Sequence, residues 1–559
     1  MEAPKSYSFS TFIPEIVTKF SDRKALGFVG EDYITYGQMG KQIKAISAFV
    51  EALEINPGER VIIYSQNMPN WGIVYFALQC MGIVTVPVLP DFNTHELENV
   101  LDHSEAKAIF VSEGLEYKLK EAKKSFIKHT IRLEDLSVLS GNDDTPIYDP
   151  EANYTSDYVA PEDELAILLY TSGTTGNSKG VMLSQKNVLI NAYQSGMVQT
   201  IKQDDSFLSV LPLSHTYENT LGLILPIMCG AMVTYLRKPP TASVLMPALK
   251  SVQPTIMLTV PMIIEKVYHN SILPTIKKKA FTRILYKTRA GRKFVNKIAG
   301  KKLYQTFGGR LVFFGIGGAK LDGQVERFLR DAKFPYAIGY GLTETSPLLA
   351  GSNPSMTKYQ AIGPKVVDID LILNNPDAKT GEGEIWAKGP NIMLGYYKNE
   401  EKTKEVLTPD GWFKTGDLGI FDKEGWLNHK GRLKNLIVGA NGENIYPEEI
   451  ESIINNYSHV VESIVMKQKG KLVALVHFNR EELETRFNQM KAELSNKVDV
   501  KLEEVSQKVD VLIEELTTEL QQYVNTRVNK TSRLQLVIAH ADPFKKTATK
   551  KIKRYLYTD

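Results

Sequence analysis

Apolar positions in the first third of the chain follow two alternating periods. Met39, Ile43, Ile46, Phe49, Val50 and Leu53 recur at helical spacing, and Thr35 with Gln38 three residues later supplies a capping box ahead of them. Continuous apolar runs at 61–64, 83–88 and 108–111 have the length of strands, while 71–81 and 95–102 between them are helix-like. This succession predicts layered α/β architecture on a largely parallel sheet. The nearest thing to a membrane span, the uncharged stretch 219–236, is short for one and contains Gly222, Pro226 and Gly230, so it predicts a buried helix running into a strand.

From Ile369 the texture changes to short strands and Gly-rich turns, as in 381–387 and 425–430, which predicts a β-rich subdomain. A hairpin is expected over 461–478, turning at Lys469, Gly470 and Lys471. Between Arg480 and Asp542 there is neither Gly nor Pro. Leu483, Phe487, Met490 and Leu494 form one apolar stripe, and Val505, Val509, Leu512, Leu516 and Leu520 another, with a phase slip near 495–501. Two long helices packed on each other are expected there, with a role in oligomer or partner contact as the alternative.

A chain of 559 residues is too long for one ordinary core, so two or more domains are expected. Its 43% hydrophobic and 23% charged residues match a globular protein, and a net charge of +3 does not point to nucleic acid. Cys80 and Cys229 lie far apart and have no metal-ligand spacing, which fits a reducing cytosol. Residues 1–22 lack the apolar centre of a signal peptide, so no export is implied.

The segment most suggestive of chemistry is 168–181, which follows an apolar run. It offers Thr171, Ser172, Gly173, Thr174, Thr175, Gly176, Lys179 and Gly180. Glycines let backbone amides approach an anion, hydroxyls donate to phosphate oxygens and the lysine adds positive charge, a combination suited to a nucleoside triphosphate. A Walker A loop is excluded because Lys179 follows Ser178 and precedes Gly180. A dinucleotide fingerprint at Gly315-Ile316-Gly317-Gly318 fails because Lys320 stands where the third glycine belongs.

Seven ordered segments between Tyr170 and Arg554 resemble the signature motifs of the adenylate-forming superfamily of acyl-CoA synthetases, nonribosomal adenylation domains and luciferases. They are the phosphate loop, Leu211 to His215, Gly315 to Leu321, Tyr340 to Glu344, Gly411 to Asp417, Gly431 to Lys434 and Lys546 to Arg554. The resemblance implies a large N-terminal AMP-binding domain over 1–433, α/β-layered with its β-rich part at about 360–433. It also implies a small mobile α+β C-terminal domain over 434–559, carrying the long helices inserted at about 480–530.

The same resemblance implies roles. Glu344 would ligate Mg²⁺, and Thr343 would donate to the α-phosphate of ATP. Asp417 would accept the ribose hydroxyls with Arg432 in support, and Gly317, Gly318, Tyr340 and Gly341 would line the adenine. His215 would position the acyl carboxylate or shape its pocket. Lys551 would stabilise charge as the carboxylate attacks phosphorus. The family usually has Gly before this lysine, whereas here Lys550 precedes it, so the role is open between the two, with Ile552 and Arg554 favouring Lys551. Lys434 falls at the interdomain hinge, followed by Asn435 where Asp is common. Gly442, within 439–447, would let the pantetheine arm of coenzyme A pass.

The run from Leu211 to Glu218 resembles the long-chain fatty acid:CoA ligase branch, implying fatty acid, ATP, Mg²⁺ and coenzyme A as reactants and cofactors. The alternatives are a fatty acyl-AMP ligase that loads a carrier protein, a ligase for a medium-chain or aryl acid, and a non-catalytic nucleotide-binding regulator. Between Lys277 and Arg310 there are twelve Lys or Arg and no Asp or Glu, interleaved with Phe281, Ile284, Leu285, Phe294, Val295 and Ile298. Such a segment suits peripheral contact with an anionic membrane, attraction of the phosphates of coenzyme A, or a plain solvated face.

Overall fold

The computed structural model describes residues 3–123, 125–140, 145–171, 179–278, 280–439, 443–485, 502–547 and 551–558, without the side chains of 502–508. Two eight-stranded sheets dominate its described residues. One runs in the order Leu348–Gly351, Tyr336–Gly341, Phe313–Ile316, Ile256–Thr259, Ser206–Leu208, Met232–Tyr235, Lys24–Phe28, Ile34–Thr35. Its strands are parallel except at the two edges, where 336–341 meets 348–351 and 24–28 meets 34–35. The other runs in the order Gly395–Tyr396, Lys179–Ser184, Leu165–Thr171, Val84–Val88, Arg60–Tyr64, Ala108–Val111, His129–Arg132, Val138–Ser140, again with antiparallel edges. The α/β layering expected from the alternating pattern is therefore present.

Local signals account for several boundaries. Thr35 and Gln38 cap the helix Tyr36–Ala52 reciprocally, at 3.2 and 2.8 Å, and Met39, Ile43, Ile46 and Val50 are buried along it. The helix Pro69–Cys80 is apolar all round, because it lies inside the core with Trp71, Tyr75 and Phe76 fully buried. The uncharged stretch becomes a π-helical turn Asn219–Ile224, a helix Leu225–Cys229 and the strand Met232–Tyr235. No helix among the described residues is long and apolar enough to cross a membrane.

The β-rich texture corresponds to a four-stranded sheet of Asp370–Asn374, Gly383–Lys388, Phe413–Phe421 and Leu427–Arg432. By contacts the chain divides into one compact unit of 1–374, 385–415 and 421–428, and another of 375–384, 416–420 and 429–559. In the second unit the hairpin Val460–Gln468 and Lys471–Phe478 turns at Lys469 and Gly470, and Leu536–Ala539 adds a parallel third strand. Of the two helices expected over 480–530, Leu502–Asn525 is described, with Val509, Leu520 and Val524 in the unit's own core beside Ile450 and Ile454. The first stripe is helical through 485, and its continuation over 486–501, phase slip included, lies outside the described residues.

Candidate active site

Four parallel neighbours, Ser206–Leu208, Ile256–Thr259, Phe313–Ile316 and Tyr336–Gly341, finish at one end of the first sheet. The turns beyond their carboxyl ends carry His215, Gly317, Gly318, Thr343 and Glu344, a usual place for ligand sites on open α/β sheets. The amide of Gly317 donates to the Thr259 carbonyl at 3.1 Å. A Cβ on Gly317 would stand 3.2 Å from the Tyr217 ring, so the bare backbone of 315–318 lets that ring lie against it. Tyr217 follows His215, whose Nδ1 accepts the Tyr217 amide at 3.3 Å and caps the turn Thr216–Glu218.

Gly341 is required by its surroundings, because a Cβ there would lie 1.8 Å from the Pro347 carbonyl oxygen. That close approach folds 342–347 into a tight turn. The Leu342 amide donates to Pro347 O at 3.2 Å and to Thr345 Oγ1 at 3.0 Å. Two buried asparagines brace it from outside: Asn391 donates to Thr345 O at 2.7 Å, and Asn191 exchanges bonds of 2.8 and 2.9 Å with the Leu348 backbone. The turn presents Thr343 and Glu344, both partly exposed.

Glu344 Oε1 accepts a hydrogen bond from the Tyr396 hydroxyl at 2.9 Å, and the Met393 amide donates to the Glu344 carbonyl at 2.9 Å. Lys179 Nζ stands 5.2 Å from the centroid of the same Tyr396 ring, within cation–π range. Burial pulls the Lys179 ammonium below its usual pKa; Lys402 adds to that and Glu344 opposes it. Lys179 pairs with Thr171 across the hairpin, so these two residues mark the roots of the phosphate loop. Ser172, Gly173, Thr174, Thr175 and Gly176 lie outside the described residues.

A narrow cavity of about 50 Å³ lies along one face of the same strands. Its wall comes from Phe207, Tyr217, Leu221, Leu225, Ile256, Leu258, Phe313 and Ile338, closed by Gly315 and Gly339, and it has no charged side chain in its lining. Its lining suits an apolar group, though its volume is below that of an ordinary ligand pocket.

The remaining candidates belong to the second unit. Asp417 is 3% exposed and its Oδ1 stands 2.9 Å from Arg432 Nε and 3.4 Å from His429 Nε2. A carboxylate buried to this degree needs a cationic neighbour. Lys434 is exposed in the turn Leu433–Asn435. Lys551 is exposed, its amide donating to Thr547 Oγ1 at 3.1 Å and its carbonyl accepting the Thr547 amide at 2.8 Å. Gly442 and Lys550 lie outside the described residues.

The structure thus brings Lys179, Thr343 and Glu344 together, and separately Asp417 and Arg432. Sequence reasoning missed Tyr396, Tyr217, Asn191 and Asn391. The pair Gly395-Tyr396 reads as an ordinary strand end until its pairing with 181–182 is known.

Among the described residues, no three His, Cys, Asp or Glu side chains form a metal-binding group. Glu344 nevertheless fits a hard divalent cation that takes one protein carboxylate and draws further oxygens from nucleotide phosphates.

A profile of the AMP-binding enzyme family matches residues 13–397. Long chain acyl-CoA synthetase 7, peroxisomal, of Arabidopsis thaliana is 29% identical over 469 residues, covering 76% of this chain and 66% of that protein, just under two thirds of its length. Long-chain-fatty-acid–CoA ligase FadD15 of Mycobacterium bovis is 29% identical over 449 residues, 75% of this chain and 72% of that one. Among solved structures, o-succinylbenzoate CoA synthetase of Bacillus subtilis with its acyl-adenylate intermediate superposes with a TM-score of 0.74 at 21% identity, covering 98% of each chain.

Proposed function

The chain belongs to the AMP-binding enzyme family, and on that footing we propose that it activates a long-chain fatty acid with ATP and transfers the acyl group to the thiol of coenzyme A. What carries the choice of acid is the likeness to long-chain acyl-CoA synthetases over about three quarters of the chain, and the uncharged lining of the cavity is in keeping with it. An alkyl chain gains by leaving water for such a space, at about 0.8 kcal/mol per methylene, while its carboxylate stays at the strand ends.

In the first half-reaction a carboxylate oxygen attacks the α-phosphorus and pyrophosphate leaves. Residues 171–179 would cradle the β- and γ-phosphates, and Thr343 would donate to the α-phosphate. Glu344 would hold Mg²⁺, which supplies charge neutralisation at the phosphates. Gly317, Gly318, Tyr340 and Gly341 would receive the adenine, and Asp417 with Arg432 the ribose. Lys551 would stabilise the charge that builds as the two anions meet. His215 and Tyr217 would shape the entrance for the acyl carboxylate. In the second half-reaction the thiol sulfur attacks the acyl carbon and AMP leaves, with 439–446, Gly442 included, beside the pantetheine arm and Lys434 as the backbone hinge between the two steps.

The test is a one-pot competition among palmitate, octanoate, benzoate and acetate with Mg·ATP and coenzyme A, the thioesters being resolved by mass. Palmitoyl-CoA should dominate. A preference for benzoate or acetate would overturn the choice of acid, and adenylate accumulation without any thioester would favour loading of a carrier protein.

A further inference from the structure

The basic segment carries an apolar face that the fold leaves uncovered. In the helix Arg289–Thr306 the inward side is pinned to the helix Gly323–Ala332: Gly300 packs on Ala332, and Asn296 donates to Asp331 at 3.0 Å with Arg292 beside it at 3.4 Å. On the outward side Phe294 and Ile298 are 59% and 58% exposed, one turn apart, among the exposed Lys293, Lys297 and Lys301. The preceding helix Ala280–Leu285 repeats the pattern, with Phe281 72% and Ile284 66% exposed on either side of exposed Arg283. The bond of Arg292 to Asp331 is the segment's one ion pair among the described residues. Four large apolar side chains in water, set among cations that, Arg292 apart, form no ion pair among the described residues, make a surface of unusual composition for a solvated face.

We propose that this surface, built on 280–306, docks the protein on an anionic lipid bilayer. Charge and hydrophobicity both select that occupant. Lysines meet the acidic headgroups, and Phe281, Ile284, Phe294 and Ile298 enter the boundary between headgroup and acyl chain. A nucleic acid would satisfy only the cations and leave the apolar side chains wet. The segment also joins two neighbouring strands, Ile256–Thr259 and Phe313–Ile316, both of which contribute to the cavity wall. Its buried side, Val295 and Leu303, packs with Met257 and Phe314 on the face of their sheet opposite Ile256 and Phe313, so the docking surface and the cavity are served by different faces of the same strands.

The experiment is flotation of the full chain with vesicles of phosphatidylcholine alone or mixed with phosphatidylglycerol, at low and at physiological ionic strength. The parent should float with the anionic vesicles only, and less as salt rises. Each lysine near such a surface is worth about fivefold in partitioning, so Lys293→Glu, Lys297→Glu and Lys301→Glu together should lower it by about 100-fold or more. Phe294→Ser with Ile298→Ser should lower it by about tenfold or more. AMP release with a water-soluble acid and no vesicles should stay at the parent level in both variants, which shows that they fold. A parent that fails to float on anionic vesicles at low salt, variants that float like the parent, or retention on an oligonucleotide in place of vesicles would overturn the proposal. Absence of AMP release in the parent would instead count against the ligase reading, so the two failures are read separately.

Discussion

Glu344, Tyr396 and Lys179 come from three distant segments and share one small volume, which makes each open to a separate test. Glu344→Gln keeps the shape and the bond from Tyr396 but removes the charge, and should slow AMP formation by about 100-fold, the scale of losing one preorganised electrostatic group. Unchanged AMP formation would contradict its assignment. Tyr396→Phe leaves the ring beneath Lys179 and removes one hydrogen bond to a charged group; the expected result is a rise of about tenfold in KM for Mg·ATP with little change in melting temperature. A different residue governs pH dependence. Glu218 is fully buried against Ser209 Oγ, and burial pushes its carboxyl up to about 8. Because the folded protein holds this proton while an unfolded chain loses it near pH 4, stability falls as pH rises from there towards 8 and then levels. Glu218→Gln should therefore flatten the decline of melting temperature between about pH 6 and 8. It should not abolish the decline, since Glu265 and Glu451, both raised to about 7 by burial, act in the same direction. An identical slope in parent and variant would contradict this.

At the scale of elements, the turn after the strand Tyr336–Gly341 and the cavity along the neighbouring strands are where the proposed chemistry and the proposed choice of acid can be tested. Gly341→Ala should destabilise the protein by about 3 kcal/mol or more, because the turn must open to admit a methyl group 1.8 Å from a carbonyl oxygen. Leu225→Trp should fill the cavity and shift the thioester profile from palmitate towards shorter acids by about tenfold in kcat/KM; an unshifted profile would mean that the chain lies elsewhere. Elements fixed by local signals were legible in the sequence: the capped helix from Tyr36, the strands Arg60–Tyr64 and Ala108–Val111, and the hairpin at Gly470. The candidate residues stand in continuous motifs, which is why the sequence alone could nominate them. What was not legible depends on long-range register. Tyr396 meets Glu344 because Gly395–Tyr396 joins the edge of a strand more than two hundred residues earlier, and the asparagine braces come from 191 and 391 onto one turn. No local spacing encodes those meetings. The cavity likewise draws its wall from segments scattered between Ser195 and Ser352.

At the scale of the whole molecule, a net charge of +3 conceals a segment of twelve cations without an acid, and the proposed reaction distributes its residues over both compact units. Lys551→Ala is expected to slow pyrophosphate exchange by about 100-fold while thioester formation from supplied acyl adenylate and coenzyme A persists. Equal loss in both halves, with folding preserved, would remove Lys551 from the role proposed for it. The central claim is ATP-driven joining of a long-chain acid to coenzyme A, and the most direct test of it follows AMP release by the parent protein with palmitate and coenzyme A each present or omitted. The account predicts sustained AMP release, matched one for one by palmitoyl-CoA, only when both are present with Mg·ATP. No AMP above background under any of these conditions, or ADP in its place, would contradict it.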